Sequence, residues 1–171
     1  RVFHLLTNAP VSIRDLAIRN ASTSGFGAAI HHTGAGAVTL SNLLVTDNAA
    51  AGFGGAVNNN ASGAISIQTS TISRNTTQGS SFGGGINNNW TGSISIADSV
   101  VSENTAGGWG GGVNNNWTGT IGITGSELSD NTATGWGGGI NNNDDGTVTI
   151  ALATITGNSA ENGGGINNND G

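Results

Sequence analysis

The chain has 171 residues, of which 35% are hydrophobic and 8% are charged, and its formal net charge is −6 at pH 7. Its four Lys and Arg residues are all arginines, too few for the clustered basic face that binds nucleic acid or an anionic membrane surface. Cysteine is absent, which excludes disulfides and thiolate metal sites, and no apolar run approaches the roughly 20 residues of a membrane span. We therefore expect neither a nucleic-acid partner nor membrane insertion by this segment.

An internal repeat organises this glycine-rich sequence. An aliphatic residue follows each run of small residues, and its successive positions are separated by 27, 27, 29, 27, 27 and 26 residues. A repeat of this length cannot bury a face alone, so the period is typical of a solenoid whose stacked coils share one core. The aliphatic residues of this column are Ile30, Val57, Ile86, Val113, Ile140 and Ile166, and Phe3 occupies the same column in the first coil.

Each coil contains short segments with the pattern of strands. The segment Gly84–Asn89 predicts one strand, the alternation in Ser93–Ile96 predicts a second, half-buried strand, and Val101 belongs to a third. Because equivalent strands of successive coils pair in parallel at about 4.7–4.9 Å, each aliphatic column becomes an interior stripe. We predict an all-β fold, a right-handed parallel β-helix of about six coils of 26–29 residues, with three short strands per coil. Three more columns keep this spacing: Val11, Val38, Ile65, Ile94, Ile121, Val148; Ile13, Leu40, Ile67, Ile96, Ile123, Ile150; and Ile18, Val45, Ile72, Val101, Leu128, Ile155.

A single β-helix domain is predicted over residues 1–171, with an irregular first coil at 1–24 and regular coils at 25–171. The two extra residues of the longest coil fall within Thr76–Ser81, and the last coil lacks one residue between Asn158 and Gly163. Such confined differences in length indicate a loop on one side of the solenoid. The start at Arg1 and an uncapped last coil, ending in mid-coil at Gly171, predict a fragment of a longer chain, or a subunit that stacks end to end into a filament.

Asparagine columns accompany the aliphatic ones. An asparagine in a turn tolerates left-handed backbone geometry, and when stacked at strand spacing its amide can bond to the next asparagine along the axis. We therefore predict a structural ladder of Asn48, Asn75, Asn104, Asn131 and Asn158.

The coil that contains Gly54–Asn60 and Ile72–Asn75 resembles the GGA[I/L/V] and FxxN repeats of the chlamydial polymorphic outer-membrane proteins. More generally, it is similar to the repeats of bacterial cell-surface proteins of the pectate-lyase-like β-helix superfamily. The resemblance covers nearly the whole chain, although GGG usually replaces GGA and an aliphatic residue replaces Phe. It implies a right-handed β-helix in an adhesin or passenger domain.

Aromatic residues form two columns. The first, Phe26, Phe53, Phe82, Trp109 and Trp136, is expected to stack on itself and cover the glycine-lined corner. The second contains Trp90 and Trp117, which follow asparagine triplets whose amides partly face outward. Exposed tryptophans in a row indicate a glycan or protein contact, so the candidate contact residues are Trp90, Trp117, Asn87, Asn89, Asn114 and Asn116.

Charged and imidazole side chains offer weaker chemistry. Glu103 and Asp130 lie in one column, where a pair of carboxylates could serve glycoside cleavage, but Arg74 interrupts that column and no lysine can act as a base. His4 and His31 lie one coil apart and are a weak candidate for a shared metal ion. No cofactor is expected, and calcium binding near acidic turns is a weak hypothesis.

These patterns favour a non-catalytic, extracellular structural or adhesive β-solenoid, secreted or held at a cell surface. Its expected partners are other copies of itself, or a glycan or protein of a host cell or matrix. The alternative is a polysaccharide-binding or polysaccharide-degrading β-helix. A minor alternative is an ice-binding solenoid, because one outer face carries Ser93, Ser95, Thr120, Thr124, Thr147 and Thr149.

Overall fold

The computed structural model describes residues 1–169 and folds them into a parallel β-solenoid of about six turns. Within residues 1–169, twenty-two strands, numbered in chain order, form three parallel sheets along the axis. The predicted end of the last coil at residues 170–171 lies outside the described part of the chain. Among residues 1–169, no helix has the length and hydrophobicity needed to cross a membrane.

The three sheets divide each coil into sides. The first sheet contains β1 (Phe3–Leu5), β4 (Ile30–His32), β7 (Val57–Asn59), β11 (Ile86–Asn88), β15 (Val113–Asn115), β19 (Ile140–Asn143) and β22 (Ile166–Asn169). The second contains β2 (Val11–Arg19), β5 (Val38–Thr46), β8 (Ala64–Gln68), β9 (Thr71–Ser73), β12 (Ser93–Ala97), β13 (Val100–Ser102), β16 (Thr120–Thr124), β17 (Glu127–Ser129), β20 (Thr147–Ala151) and β21 (Thr154–Thr156). The third contains β3 (Ser22–Thr23), β6 (Ala49–Ala50), β10 (Thr76–Thr77), β14 (Thr105–Ala106) and β18 (Thr132–Ala133).

The strand register confirms the predicted aliphatic columns. Ile86 pairs with Val57 on one side and Val113 on the other, so the column of the first sheet is continuous. In the second sheet, Ile94 pairs with both Ile65 and Ile121. These side chains are almost fully buried and form one core along the axis. The alternating pattern of small and aliphatic residues therefore produces the half-buried strands expected from its period of two.

The second sheet bends where a serine hydroxyl replaces a carbonyl in the ladder. In the first two coils a single strand of nine residues, β2 or β5, follows this side. In later coils the same side is divided into a five-residue and a three-residue strand. The backbone N–H of Ser70 donates to Ser99 Oγ at 3.0 Å, and that of Ser99 donates to Ser126 Oγ at 3.1 Å. The predicted third strand at Val101 is therefore β13, which lies in the second sheet, and the third sheet is formed instead by short segments such as β14. After the second coil, the middle side of a coil comprises two segments.

The extra residues of the longest coil form the turn that follows β10. The N–H of Ser81 donates to the carbonyl oxygen of Gln78 at 3.2 Å, and Gly79 between them has a φ of 59°. Strand pairing is in register before this turn, at Thr76 with Ala49, and after it, at Ile86 with Val57. The predicted position of the insertion is therefore confirmed, and the insertion leaves the stacking of the coils unchanged.

Candidate functional site

The predicted structural ladder lies inside the solenoid at the corner between the second and third sheets. Asn131 Oδ1 accepts hydrogen bonds from both Nδ2 and the backbone N–H of Asn104, each at 3.0 Å. Asn104 Nδ2 also donates to the carbonyl oxygen of Ile72 at 2.9 Å. The same pattern joins Asn48, Asn75, Asn104, Asn131 and Asn158, which confirms the prediction. These amides satisfy backbone groups at a bend where strand pairing is interrupted.

A second interior ladder fixes the turns that follow β7, β11, β15 and β19 in the first sheet. Asn88 Nδ2 donates to Asn115 Oδ1 at 2.9 Å and to the carbonyl oxygen of Gly92 at 2.8 Å. Asn115 repeats both bonds one coil later, with Gly119 as its carbonyl partner at 2.8 Å. The ladder comprises Asn59, Asn88, Asn115, Asn142 and Asn168. The amides of Asn59, Asn88, Asn115 and Asn142 therefore each close a five-residue turn, and the exposed Trp90 and Trp117 lie in the middle of two of these turns.

Asn87 and Asn114 are fully buried, so the prediction that their side chains contact a ligand is wrong. Asn114 Nδ2 donates to Asn87 Oδ1 at 2.8 Å, and Asn87 Nδ2 donates to Asn58 Oδ1 at 2.8 Å. The aromatic column lies on this side of the first sheet, since the ring centroid of Phe26 is 5.8 Å from that of His31, which pairs with Asn58. This third ladder is therefore structural and points its donors in the opposite direction to the other two.

Asn89 and Asn116 lie at the boundary between the interior and the surface. Both are half-buried, and Asn116 Nδ2 donates to Asn89 Oδ1 at 3.2 Å. Asn89 Nδ2 in turn donates to Asn60 Oδ1 at 2.7 Å. Their contact with a ligand stays a prediction. These hydrogen-bonded asparagines form a polar row directly beside the two tryptophans.

Trp90 and Trp117 occupy the same position of successive turns and project from the solenoid. Their side chains are 43% and 49% exposed, and their ring centroids lie 4.8 Å apart with the planes inclined at 45°. The backbone of Trp117 has a φ of 76°, a left-handed conformation that a bulky residue adopts only at a cost. In the neighbouring coils this position is occupied by Ala61 and Asp144, so the turn itself does not require an aromatic residue.

A shallow cavity lies against the exposed side of Trp117. It has a volume of about 350 Å³ and is lined by Trp117, Thr118, Asp144 and Asp145. Asp144 has a φ of 50°, and both carboxylates are exposed at the turn of the next coil. Asp144 and Asp145 form one of the acidic turns for which the sequence suggests weak calcium binding. Asp144 lies in the tryptophan column, one coil after Trp117, and Asp145 follows it directly, as Thr118 follows Trp117.

The first aromatic column forms a continuous stack, as predicted. Its successive ring centroids, from Phe26 to Trp136, are 5.3, 4.9, 4.5 and 4.6 Å apart, and the planes are inclined by at most 22°. Offset stacking at these distances is favourable beyond the burial of apolar area. The stack therefore stabilises one corner of the solenoid along its length.

The carboxylate column lies on an exposed edge. Asp47, Arg74, Glu103 and Asp130 all adopt left-handed backbone conformations, with φ between 52° and 58°. Arg74 donates to Asp47 through Nε at 2.9 Å and Nη2 at 3.1 Å, and this pairing lowers the pKa of Asp47 and raises that of Arg74. Arg74 therefore pairs with the preceding coil. Glu103 and Asp130 occupy this turn in successive coils, and a catalytic role for them stays a hypothesis.

The histidines take the place of asparagines at the start of the ladders. The rings of His4 and His31 stack with centroids 5.0 Å apart, and His31 Nδ1 lies 3.1 Å from Asn58 Nδ2. Burial, with smaller contributions from Arg1 and His4, lowers the pKa of His31 to about 4. Within residues 1–169, no group of three His, Asp or Glu side chains is placed to hold a metal ion. At the predicted metal site, the imidazoles of His4 and His31 are held by stacking and hydrogen bonds. Metal binding by this pair stays a prediction.

Fold and surface together define a repeat protein of the parallel β-solenoid class, with a polar interior joined by amide ladders and a small exposed aromatic site. No family model matches the chain, and neither a curated protein nor a solved structure matches it.

Proposed function

We propose that the chain is a segment of a non-catalytic, extracellular structural or adhesive β-solenoid, of the kind that the resemblance to bacterial cell-surface repeats implies. The observation that carries the proposal is that the repeated residues bond or stack along the axis, from one coil to the next. Asn104 and Asn88 join one coil to the next, and the Phe82 ring stacks on Phe53 and Trp109. A chain that commits its repeat to axial stacking is suited to span a distance and to present side chains on a rigid surface.

The polysaccharide-degrading alternative receives less support. The two carboxyl groups of a glycosidase face each other across the scissile bond, in a cleft that also admits the water that hydrolyses it. Glu103 and Asp130 instead follow one another on an exposed edge, and each carries the strained backbone of that turn. The ice-binding alternative would use the outer faces of β16 and β20, where Gly122 and Ala151 interrupt the row of threonines.

Surface display tests the proposal directly. The chain is displayed on a non-adherent cell and applied to surfaces coated with mucin or matrix glycoprotein, while the released sugars are assayed in parallel. We expect retention on at least one surface without release of reducing ends. Glycan cleavage that is lost in the Glu103→Gln, Asp130→Asn double variant would establish the enzymatic alternative. If the displayed chain adheres to none of the surfaces, the adhesive role is contradicted.

End-to-end association of copies into a filament stays a prediction. Sedimentation velocity over a range of protein concentrations measures it, and a single monomeric species at the highest concentration would contradict it. A positive result would place the structural role above the adhesive one.

A further inference from the structure

The exposed tryptophan pair has a position that the fold does not explain. Trp117 remains about half exposed and has a backbone φ of 76°, so it combines backbone strain with incomplete burial. Ala61 occupies the equivalent turn two coils earlier, where no such side chain is present. A residue that the coil does not require, held in a strained conformation at the surface, indicates a function outside the fold.

The turn that carries each tryptophan is rigid. Asn115 closes the turn of Trp117 through its bond to Gly119, and Asn88 closes that of Trp90 through Gly92. A side chain at Gly119 would collide with the carbonyl oxygen of Trp90, so glycine permits the two turns to approach closely. The interior ladder therefore orders the aromatic surface before any ligand binds, which lowers the entropic cost of binding.

The groups around the cavity determine which ligand fits. The exposed indole of Trp117 offers an apolar face, and beside it lie the carboxylates of Asp144 and Asp145 and the hydroxyl of Thr118. A ligand must therefore combine an apolar face with several donor hydroxyls at its edge. The two carboxylates, in a chain of net charge −6, disfavour sulfated, phosphorylated or uronic acid ligands. The rings of Trp90 and Trp117 pack on each other at 4.8 Å, so they do not form the open cage that encloses a quaternary ammonium ion.

We propose that Trp90, Trp117, Asp144 and Asp145 form a binding site for a neutral glycan chain. One pyranose stacks its C–H face on Trp117, and its hydroxyl groups donate to the two carboxylates across the cavity. Trp90, one coil away along the axis, supports Trp117 and extends the aromatic surface to a further part of the glycan. This inference names the ligand class for the adhesive function proposed above and rests on it.

Intrinsic fluorescence provides a selective measurement because the chain has four tryptophans. In the Trp109→Phe, Trp136→Phe variant, Trp90 and Trp117 are the remaining indoles, and phenylalanine already occupies that stack at Phe82. This variant is titrated with neutral oligosaccharides of β-1,4-linked glucose, β-1,4-linked N-acetylglucosamine, mannose and galactose. We expect a saturable change in emission with at least one series. Absence of a change with all four series would overturn the proposal.

The matched variant Trp90→Ala, Trp117→Ala tests the site by isothermal titration, since alanine occurs at this turn as Ala61. We expect its affinity for the active oligosaccharide to fall by about tenfold or more, as for loss of a central aromatic contact. The variant Asp144→Asn, Asp145→Asn should weaken binding several-fold, because charge-assisted hydrogen bonds are lost. Unchanged affinity in the tryptophan variant, or binding only to choline chloride, polylysine or polygalacturonate, would overturn the proposal. If the displayed alanine variant still adheres to glycoprotein surfaces, the adhesive function stands and this site is rejected.

Discussion

Asn104 donates both its side-chain and its backbone N–H to one oxygen, Oδ1 of Asn131, at 3.0 Å. Its own Oδ1 accepts the same two bonds from Asn75, at 2.9 Å. Each buried amide is thus a donor to one coil and an acceptor for another, and no apolar side chain of similar size could replace it without leaving backbone groups unpaired.

Asn104→Asp retains the shape and the acceptor of this side chain but removes the NH₂ group. The new carboxylate would face the carbonyl oxygen of Ile72 and Oδ1 of Asn131, both of which now accept from Asn104. We expect a loss of about 3 kcal/mol or more in the free energy of unfolding at pH 7, measured by chemical denaturation. The control is Asn60→Asp, since half-buried Asn60 accepts from Asn89 through its oxygen; a loss of equal size in the control would contradict the account.

Trp117→Asn separates the role of the ring from that of the turn. Asparagine tolerates the left-handed backbone better than tryptophan does, and this gain offsets the lost contact with Trp90. We expect the free energy of unfolding to remain within about 1 kcal/mol of the original value while glycan binding is lost. Thermal unfolding and oligosaccharide titration measure the two effects; a sharply lower melting temperature would mean that the ring is structural.

His31 makes stability depend on pH. Its pKa is lowered from 6.5 to about 4, chiefly by burial, so the folded state binds the proton less readily than the unfolded state. The contribution of His31 to the free energy of unfolding is therefore fully present above pH 6.5 and is lost as the pH decreases towards about 4. Below that pH, this group causes no further change in stability. The melting temperature should follow this course between pH 7 and pH 4. In His31→Asn, which introduces the residue found at Asn58, this part of the dependence should disappear.

The aromatic stack tolerates exchange of one ring for another but not its removal. Trp109 lies between Phe82 and Trp136 with centroid distances of 4.5 and 4.6 Å. Trp109→Phe should change the free energy of unfolding by less than about 1 kcal/mol, whereas Trp109→Ala should cost roughly 2–3 kcal/mol. Thermal or chemical denaturation measures the free energy of unfolding of both variants. Equal losses in the two variants would mean that stacking of the rings does not stabilise the fold.

The repeat made the fold predictable, and the details that escaped prediction have local causes. Aliphatic residues such as Ile94 and Ile121 recur at one position of every coil, so their pairing followed from the period alone. The burial of Asn87 did not follow, because an outward-facing side chain is buried only if another column covers it. The serine row at Ser70 was also missed, since leucine occupies its position in the first two coils and conceals the column.

The turn at residues 78–81 has a consequence for how such a molecule can be altered. Ser81 Oγ donates to the carbonyl oxygen of Ala51 at 2.9 Å, which returns the chain to its neighbour after the two added residues. The strands before and after this turn keep their partners in the neighbouring coil. The number of residues in a coil can therefore increase at this turn without a change in the axial distance between coils. A loop, an epitope tag or an entire domain inserted after Gly79 should therefore project from the surface, while the spacing between the stacked coils stays unchanged.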